Sequence, residues 1–336
     1  MPCMLSITYF YREPRKTGVS IEGIFKLVKE CLKDEADIRE FYCDPGLSRL
    51  QNTRRAELFA SDINHITGDV NFLAIGLKGK KNVLTIHDLG HYDTLKKRSF
   101  FLHTIYKLFW FRYPLKHIQI VTVVSEFTKG KLTEYFNFPE ERIRVIPNPV
   151  KPIFKFAQKE QLNQRPVVLM MGTGKHKNLD SLIEAIKLAD FHVDIIGWPS
   201  TDELERLNNY DISHAIYNNL TDEEVYERYV ACDILFNASF YEGFGMPIIE
   251  AQSVGRPVVT SNIGAMKELA GNTAMLADPH KPEEIAEALS KLVRDRAYYD
   301  ELVARGRENA SKYQYREIAR QYLEVYKELS KKVIRK

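Results

Sequence analysis

Short apolar runs alternate along this chain with stretches whose apolar positions recur every three or four residues, the periods of buried strand and amphipathic helix. In the first half the runs predict strands near 4–10, 36–43, 63–66, 82–87, 119–125 and 142–146, with helices near 20–33, 53–60, 98–113 and 126–136. Pro147-Asn-Pro149 and Pro152 then interrupt the pattern, and a charged, glutamine-rich stretch to Arg165 reads as a linker. The second half resumes with strands near 167–171, 192–197, 213–217, 233–237, 257–260 and 274–277. Two or three charged amphipathic helices follow Pro282, the last near 314–333. Such alternation, without internal repeats, argues for an α/β protein with parallel sheets, whose ligands sit at the carboxyl ends of strands.

Two strand–turn–helix units carry candidate chemistry. The strand Asp233-Ile-Leu-Phe-Asn-Ala-Ser239 leads into Glu242-Gly-Phe-Gly-Met-Pro-Ile-Ile-Glu250, and Arg256-Pro-Val-Val-Thr260 reads as the next strand. At 3.6 residues per turn, this spacing puts the carboxylates at a strand end and about two turns into the following helix, on roughly one face. Gly243 and Gly245 let the backbone approach a ligand, Pro247 suits a first helical turn, and a helix start attracts anions. Carboxylates hold sugar or ribose hydroxyls; unpaired amides with a lysine hold diphosphate. In the other unit, Val167-Val-Leu-Met-Met171 runs into Gly172-Thr-Gly-Lys-His-Lys177-Asn-Leu. Gly172 and Gly174 open the turn, Lys175 and Lys177 charge it, and Asn178 or a neighbour starts a helix with an apolar face of Leu179, Leu182, Ile183 and Ile186. Each unit alone also suits an ordinary turn with solvated charges.

Further stretches belong with these two: Thr85-Ile-His-Asp-Leu89, Val123-Val-Ser-Glu-Phe-Thr128, Ile146-Pro-Asn-Pro149, Gly255-Arg-Pro-Val-Val and Glu268-Leu-Ala-Gly271. Together they resemble the retaining glycosyltransferases of family 4, over nearly the whole chain, with the double-glutamate stretch as the donor signature. The resemblance implies a GT-B fold: two Rossmann-like domains with parallel sheets facing across a cleft. Residues 1–150 would form the acceptor domain and 151–313 the donor domain, with 314–336 a helix packing back on the first. It implies transfer of a sugar from a UDP- or GDP-sugar to a carbohydrate or lipid-linked saccharide, with no metal or other cofactor, in polysaccharide or glycoconjugate biosynthesis.

By the same resemblance Glu250 holds the ribose, while Lys177 and the Phe244–Met246 amides neutralise the diphosphate. Glu242 grips the transferred sugar, and His87 approaches it from the opposite domain. The leaving phosphate itself takes the acceptor's proton in a same-face displacement. Gly172, Thr173, Lys175, Gly243, Phe244, Gly245 and Met246 complete the donor site, and Gly18 and Asp88 stand on the acceptor side. Two departures are visible. Thr173 occupies the place of an arginine common in the family, leaving Lys175 as a point charge without bidentate geometry. Near the N-terminus a single Gly18 stands where two adjacent glycines are frequent.

Rival readings make different demands. A sugar-nucleotide epimerase of GT-B fold needs its own acid–base residues, and none is assignable. A phosphorylase-like enzyme needs a cofactor-bearing lysine and a longer chain. A non-catalytic nucleotide-sugar-binding subunit would lose the glutamates, and both are present. His87 and His91 stand four apart, but Gly90 disfavours one helix through both, and the His-Glu-x-x-His pattern is absent. Ser125 reads as a helix cap, as does Ser20.

Length suits two domains, since 336 residues exceed one ordinary core. Cys3, Cys31, Cys43 and Cys232 are scattered, which predicts a reduced, cytoplasmic protein; no signal peptide or membrane-spanning apolar stretch is expected. Charge divides unevenly. Residues 1–150 carry 23 Lys/Arg against 17 Asp/Glu, and residues 151–336 carry 25 against 28. Part of the excess lies in segment 95–117, where Lys96, Lys97, Arg98, Lys107, Arg112 and Lys116 interleave with Phe100, Phe101, Tyr106, Phe109, Trp110, Phe111 and Tyr113. Two readings fit: peripheral contact with an anionic membrane at the inner face of the cell, or a buried aromatic face with snorkelling lysines, which is preferred. Nucleic acid is not an expected partner, because no binding module appears.

Overall fold

The computed structural model describes residues 4–13 and 20–331; Gly18 and the Arg15–Thr17 stretch before it lie outside them. The chain forms two compact units, Met1–Pro149 with Tyr315–Lys336, and Val150–Gln314. The first holds a six-stranded sheet of β1 (Leu5–Tyr11), β2 (Ala36–Tyr42), β3 (Ile63–Ile66), β4 (Lys81–Ile86), β5 (Ile120–Val123) and β6 (Ile143–Val145), in the order β2-β1-β3-β4-β5-β6. All its pairings are parallel. The second holds β7 (Val167–Met171), β8 (His192–Ile196), β9 (Ser213–Tyr217), β10 (Ile234–Asn237), β11 (Val258–Ser261) and β12 (Met275–Ala277), in the order β12-β11-β10-β7-β8-β9, again parallel.

Each order reverses once. In the second sheet the chain runs outward from β7 through β8 and β9, then returns to lay β10 on the other side of β7. The helices leaving β7 and β10 therefore depart on opposite sides, and a crevice opens between the two carboxyl ends. The Gly172 turn and the Glu242 loop are the two segments that emerge there.

Alternation along the strands buries both faces of the first sheet. Tyr9 and Tyr11 face one core with Ile24, Phe25 and Val28, while Phe10 faces another with Leu73, Phe111 and Leu132. The last helix, Tyr315–Lys331, lays Ile318, Tyr322, Tyr326 and Leu329 into the first of these cores, so the C-terminus packs on the N-terminal sheet. Below it lies a polar chain. His65 Nδ1 meets the Tyr326 hydroxyl at 2.7 Å and His65 Nε2 meets Thr85 Oγ1 at 2.7 Å. Tyr326 donates onward to the Tyr9 hydroxyl at 3.0 Å.

Two helices differ from expectation. The one read near 53–60 is Arg49–Leu58, because Ser48 and Gln51 close a reciprocal capping box ahead of the apolar positions. The one read near 98–113 is several pieces: Gly90–Arg98, Phe100–Tyr106, a widened π-type turn Lys107–Arg112, and Tyr113–Leu115. Ser99 is extended and its hydroxyl accepts from the Leu102 N–H, so one helix stops and the next starts on the same residue.

Full burial pushes the His65 pKa down from 6.5 to about 3, keeping the imidazole neutral. Below pH 6.5 the unfolded chain takes up a proton that the folded unit refuses, so this contribution to stability is lost as pH falls. Denaturant titrations at successive pH values should show His65→Phe less stable than wild type at neutral pH. The gap should narrow by about 1.4 kcal/mol per pH unit on acidification; a gap independent of pH would refute the assignment.

Candidate functional site

β7 ends at Met171, and Gly172 turns with φ +85°, a left-handed conformation that disfavours a side chain. A Cβ there would stand 3.2 Å from Lys177 Cε, so the bare glycine also makes room for the lysine stem. After one tight turn, Lys175–Lys177, Asn178 is itself left-handed (φ 70°) and the helix Leu179–Ile186 begins. Asn178 stands at the start of that helix, as the sequence suggests, but its side chain makes no capping hydrogen bond. Its buried amide donates to the carbonyls of Ala238 (2.9 Å) and Pro279 (2.8 Å), clamping the β7 turn to the loop that follows β10. The Phe240 N–H donates to the His176 carbonyl at 2.7 Å and adds a second fastening.

The clamp brings the two charged groups together. Lys177 Nζ donates to Glu242 Oε1 at 2.6 Å, and Ser239 Oγ donates to the same oxygen at 3.0 Å. Both charged side chains are largely buried. The pair joins the two loops at the point where the strand order reverses.

Glu242 stands before the helix rather than on it. Gly245 is left-handed at φ +105°, and Met246–Val254 is the helix, so only Glu250 lies on it, little more than one turn in. Glu242 thus lies past the strand end, as expected, but Glu250 is nearer the helix start than the two turns expected. The spacing of eight is no helical repeat, because left-handed Gly245 stands between them and Glu242 is placed by its loop. Pro247 brings no N–H, and the Ile248 N–H donates to the Gly245 carbonyl at 3.0 Å, so a tight turn closes part of the helix start. Phe244 is buried edge-on to Tyr313, with ring centroids 5.8 Å apart. Gly255 (φ +87°) ends the helix, and the buried Arg256 spends its guanidinium on the carbonyls of Cys232, Ala157 and Val230.

Glu250 is buried, and Oε2 accepts from the Tyr229 hydroxyl at 2.8 Å. Burial pushes its pKa up; the Tyr229 hydrogen bond and the positive charge of Lys151 pull it back. Lys151 also pairs with Asp222 at 2.6 Å. Tyr229, Ser239 and Lys151 were not singled out in the sequence. Ser239 adjoins the motif, whereas Tyr229 looks like any apolar position of a helix and gives no signal.

The remaining site residues divide. Thr173 uses its hydroxyl on the next loop, donating to the Trp198 carbonyl (2.7 Å) and accepting from the Trp198 N–H (2.9 Å), so it does not take over the role of an arginine. Lys175 is exposed. In the first unit His87 follows β4, and its Nε2–H donates to the Thr67 carbonyl at 2.8 Å, which leaves Nδ1 as an acceptor. Burial lowers its pKa. A Cβ on Gly68 would come within 2.8 Å of the imidazole. Asp88 is exposed and accepts from the Gly90 N–H at 2.8 Å, starting the helix Gly90–Arg98. A small cavity here is lined by Asp69, Asn71, His87, Asp88, Tyr106 and Trp110, among others. His91 packs edge-on to Tyr106. Among the described residues, no group of three or more His, Cys, Asp or Glu side chains is arranged to hold a metal ion.

Two family models match adjoining parts of the chain: Glycosyltransferase Family 4 over residues 38–153 and Glycosyl transferases group 1 over residues 153–312. The O-antigen chain mannosyltransferase B of Escherichia coli is 28% identical over 235 residues, covering 63% of this chain and 61% of that protein. A D-inositol 3-phosphate glycosyltransferase of Corynebacterium urealyticum is 29% identical over 217 residues, 61% of this chain and 49% of that one. The matches thus span about half to three fifths of these relatives. The sucrose-phosphate synthase of Thermosynechococcus elongatus superposes with a TM-score of 0.78 at 17% identity, over 97% of this chain and 99% of that chain. The Anabaena protein HepE, solved with UDP and glucose, gives 0.77 at 16% identity, over 96% and 100%. At such identities the likeness carries the fold alone. With two parallel six-stranded sheets and both family models matched in order, the chain belongs to the glycosyltransferases of GT-B fold, family 4 in its first half and group 1 in its second.

Proposed function

We propose that the protein moves a sugar, with retention of configuration, from a nucleoside-diphosphate sugar to a hydroxyl of a saccharide acceptor. The observation that carries this is the Lys177–Glu242 pair at the β7–β10 crevice, beside a helix start and a buried, tyrosine-held Glu250. An ammonium has three donors, and one goes to Glu242; the others suit the diphosphate. The helix N-terminus faces the same charge. Lysine and helix dipole thus supply the positive charge that stabilises the departing nucleoside diphosphate, and the reading requires no metal. Glu250 takes the ribose hydroxyls and Glu242 those of the transferred sugar. His87, in the other unit, is held as a neutral imidazole with Nδ1 as acceptor.

HepE was solved with UDP and glucose, and relatives include a mannosyltransferase of O-antigen chains. The first supports a UDP-sugar donor and the second a saccharide acceptor. A cytoplasmic setting goes with this reading: Cys31, Cys43 and Cys232 are free thiols, and no described helix is long and apolar enough to cross a membrane.

A panel of UDP- and GDP-sugars, with release of nucleoside diphosphate and NMR of the product's anomeric centre, tests the proposal. Slow hydrolysis or transfer with one donor is expected; isomerisation would assign an epimerase instead, and no binding of any donor would end the reading. Glu250→Ala should raise the donor KM by about ten- to a hundredfold, the worth of a hydrogen bond to a charged group. Lys177→Ala should lower kcat by on the order of a hundredfold. If both variants turn over donor like wild type, the site is wrongly assigned. Because Tyr229 lowers the Glu250 pKa, Tyr229→Phe should raise it further. Donor binding would then fail at higher pH than in wild type, as calorimetry across an acid series would show.

A further inference from the structure

The segment after Ser99 divides its apolar side chains between two faces. Tyr106, Trp110 and Phe111 turn inward and line the cavity beside His87, with Tyr106 stacked on Trp110 at 5.5 Å and Phe111 on Phe136 at 4.5 Å. The rest face solvent. Phe100, Phe101 and Phe109 are 85%, 70% and 59% exposed, and Leu102, Ile105, Leu108 and Tyr113 join them. The burial expected for this segment therefore holds for only part of it.

Seven of the seventeen exposed large apolar side chains among the described residues fall between Phe100 and Tyr113. This is a concentrated patch, unlike the single exposed apolar residues scattered over any soluble surface. Phe101 and Ile105 stand four apart on one face of the helix Phe100–Tyr106, and the exposed Leu108 and Phe109 extend this apolar stripe into the π-type turn. Lys96, Arg98, Arg112 and Lys116 are exposed on the same segment. No Asp or Glu occurs between Asp93 and Glu126.

We propose that this stripe seats the first unit on an anionic lipid bilayer, the aromatics entering the headgroup region and the cations meeting lipid phosphates. A second copy of the chain fits the face poorly, since two such surfaces would set cations against cations with no carboxylate from either. The helix that docks also walls the cavity beside His87, so the bound unit presents that cavity close to the lipid surface. An acceptor saccharide carried on a lipid suits this arrangement. That last step rests on the transferase reading above; the docking itself does not.

Flotation of the purified chain with vesicles of equal parts phosphatidylcholine and phosphatidylglycerol tests it, with pure phosphatidylcholine as the control. Wild type should float with the anionic vesicles, far less with the neutral ones, and be released by salt. Lys96→Gln/Arg98→Gln/Arg112→Gln should weaken binding by on the order of a hundredfold, from about fivefold per surface cation. Phe100→Ser/Phe101→Ser/Phe109→Ser should weaken it by at least about tenfold. Both variants should keep the wild-type unfolding midpoint and the wild-type rate of donor hydrolysis in solution, which separates failure of docking from failure of the donor site. Absence of wild-type binding at low salt overturns the proposal, as does undiminished binding by both variants. A dimer of the wild type that the serine variant abolishes would assign the face to self-association instead.

Discussion

The two loops at the crevice of the second unit are joined by a lysine and a glutamate, 65 residues apart in sequence and held 2.6 Å from one another. Left to itself such a pair is a weak source of stability. Both side chains are mostly out of water, and desolvation offsets much of the Coulomb attraction. What fixes the pair is uncharged. The Asn178 amide bridges two carbonyls of distant loops, Phe240 is bonded to His176, and Ser239 supplies a further donor to Glu242. The geometry is set by the backbone clamp, and the charges occupy places already made for them. A lysine so held would meet a ligand without having to be ordered at the moment of binding.

The clamp also explains which features were legible in the sequence. Strand positions were clear where a sheet is buried on two faces, so β7, β10 and β11 stand out as short, largely apolar runs. Glu242, Glu250, Gly172 and Lys177 were visible because charged and glycine residues at strand ends are conspicuous. Whether two turns meet, however, depends on strand order, and nothing in a linear pattern states that β10 returns to the flank of β7. Asn178 shows the difficulty well. An asparagine at a helix start is most simply a cap, and its actual work, two hydrogen bonds to residues 60 and 101 positions away, has no local trace. Gly245 misled in another way: a spacing of eight suggested Glu250 about two turns into the helix, while the left-handed backbone at Gly245 starts the helix late and leaves Glu250 little more than one turn in.

The segment 95–117 was only partly legible for a related reason. Interleaved basic and aromatic residues fit either a buried face or an open one, because composition does not say how wide the covered stripe is. Ser99 breaks the helix and the π-type turn at Lys107–Arg112 shifts its phase, so aromatics one or two positions apart end on opposite sides. Phe109 faces solvent; Phe111 is buried.

Glu250 shows where the site works against its own stability. A carboxylate buried to this degree resists ionisation, and hydroxyls closing over it would remove the remaining water. Ionisation is favoured by the Tyr229 hydroxyl and by the positive charges of Lys151 and Lys177. Lys151, in turn, is shared with Asp222. Arriving hydroxyls would donate to the same carboxylate and favour its charged form, in the sense that Tyr229 already does. Under the proposed assignment, a ribose with two such donors would reinforce the protonation state it needs. A ligand of equal size without them would leave the buried acid with fewer partners, and a preference for a hydroxylated nucleoside would follow from the burial itself.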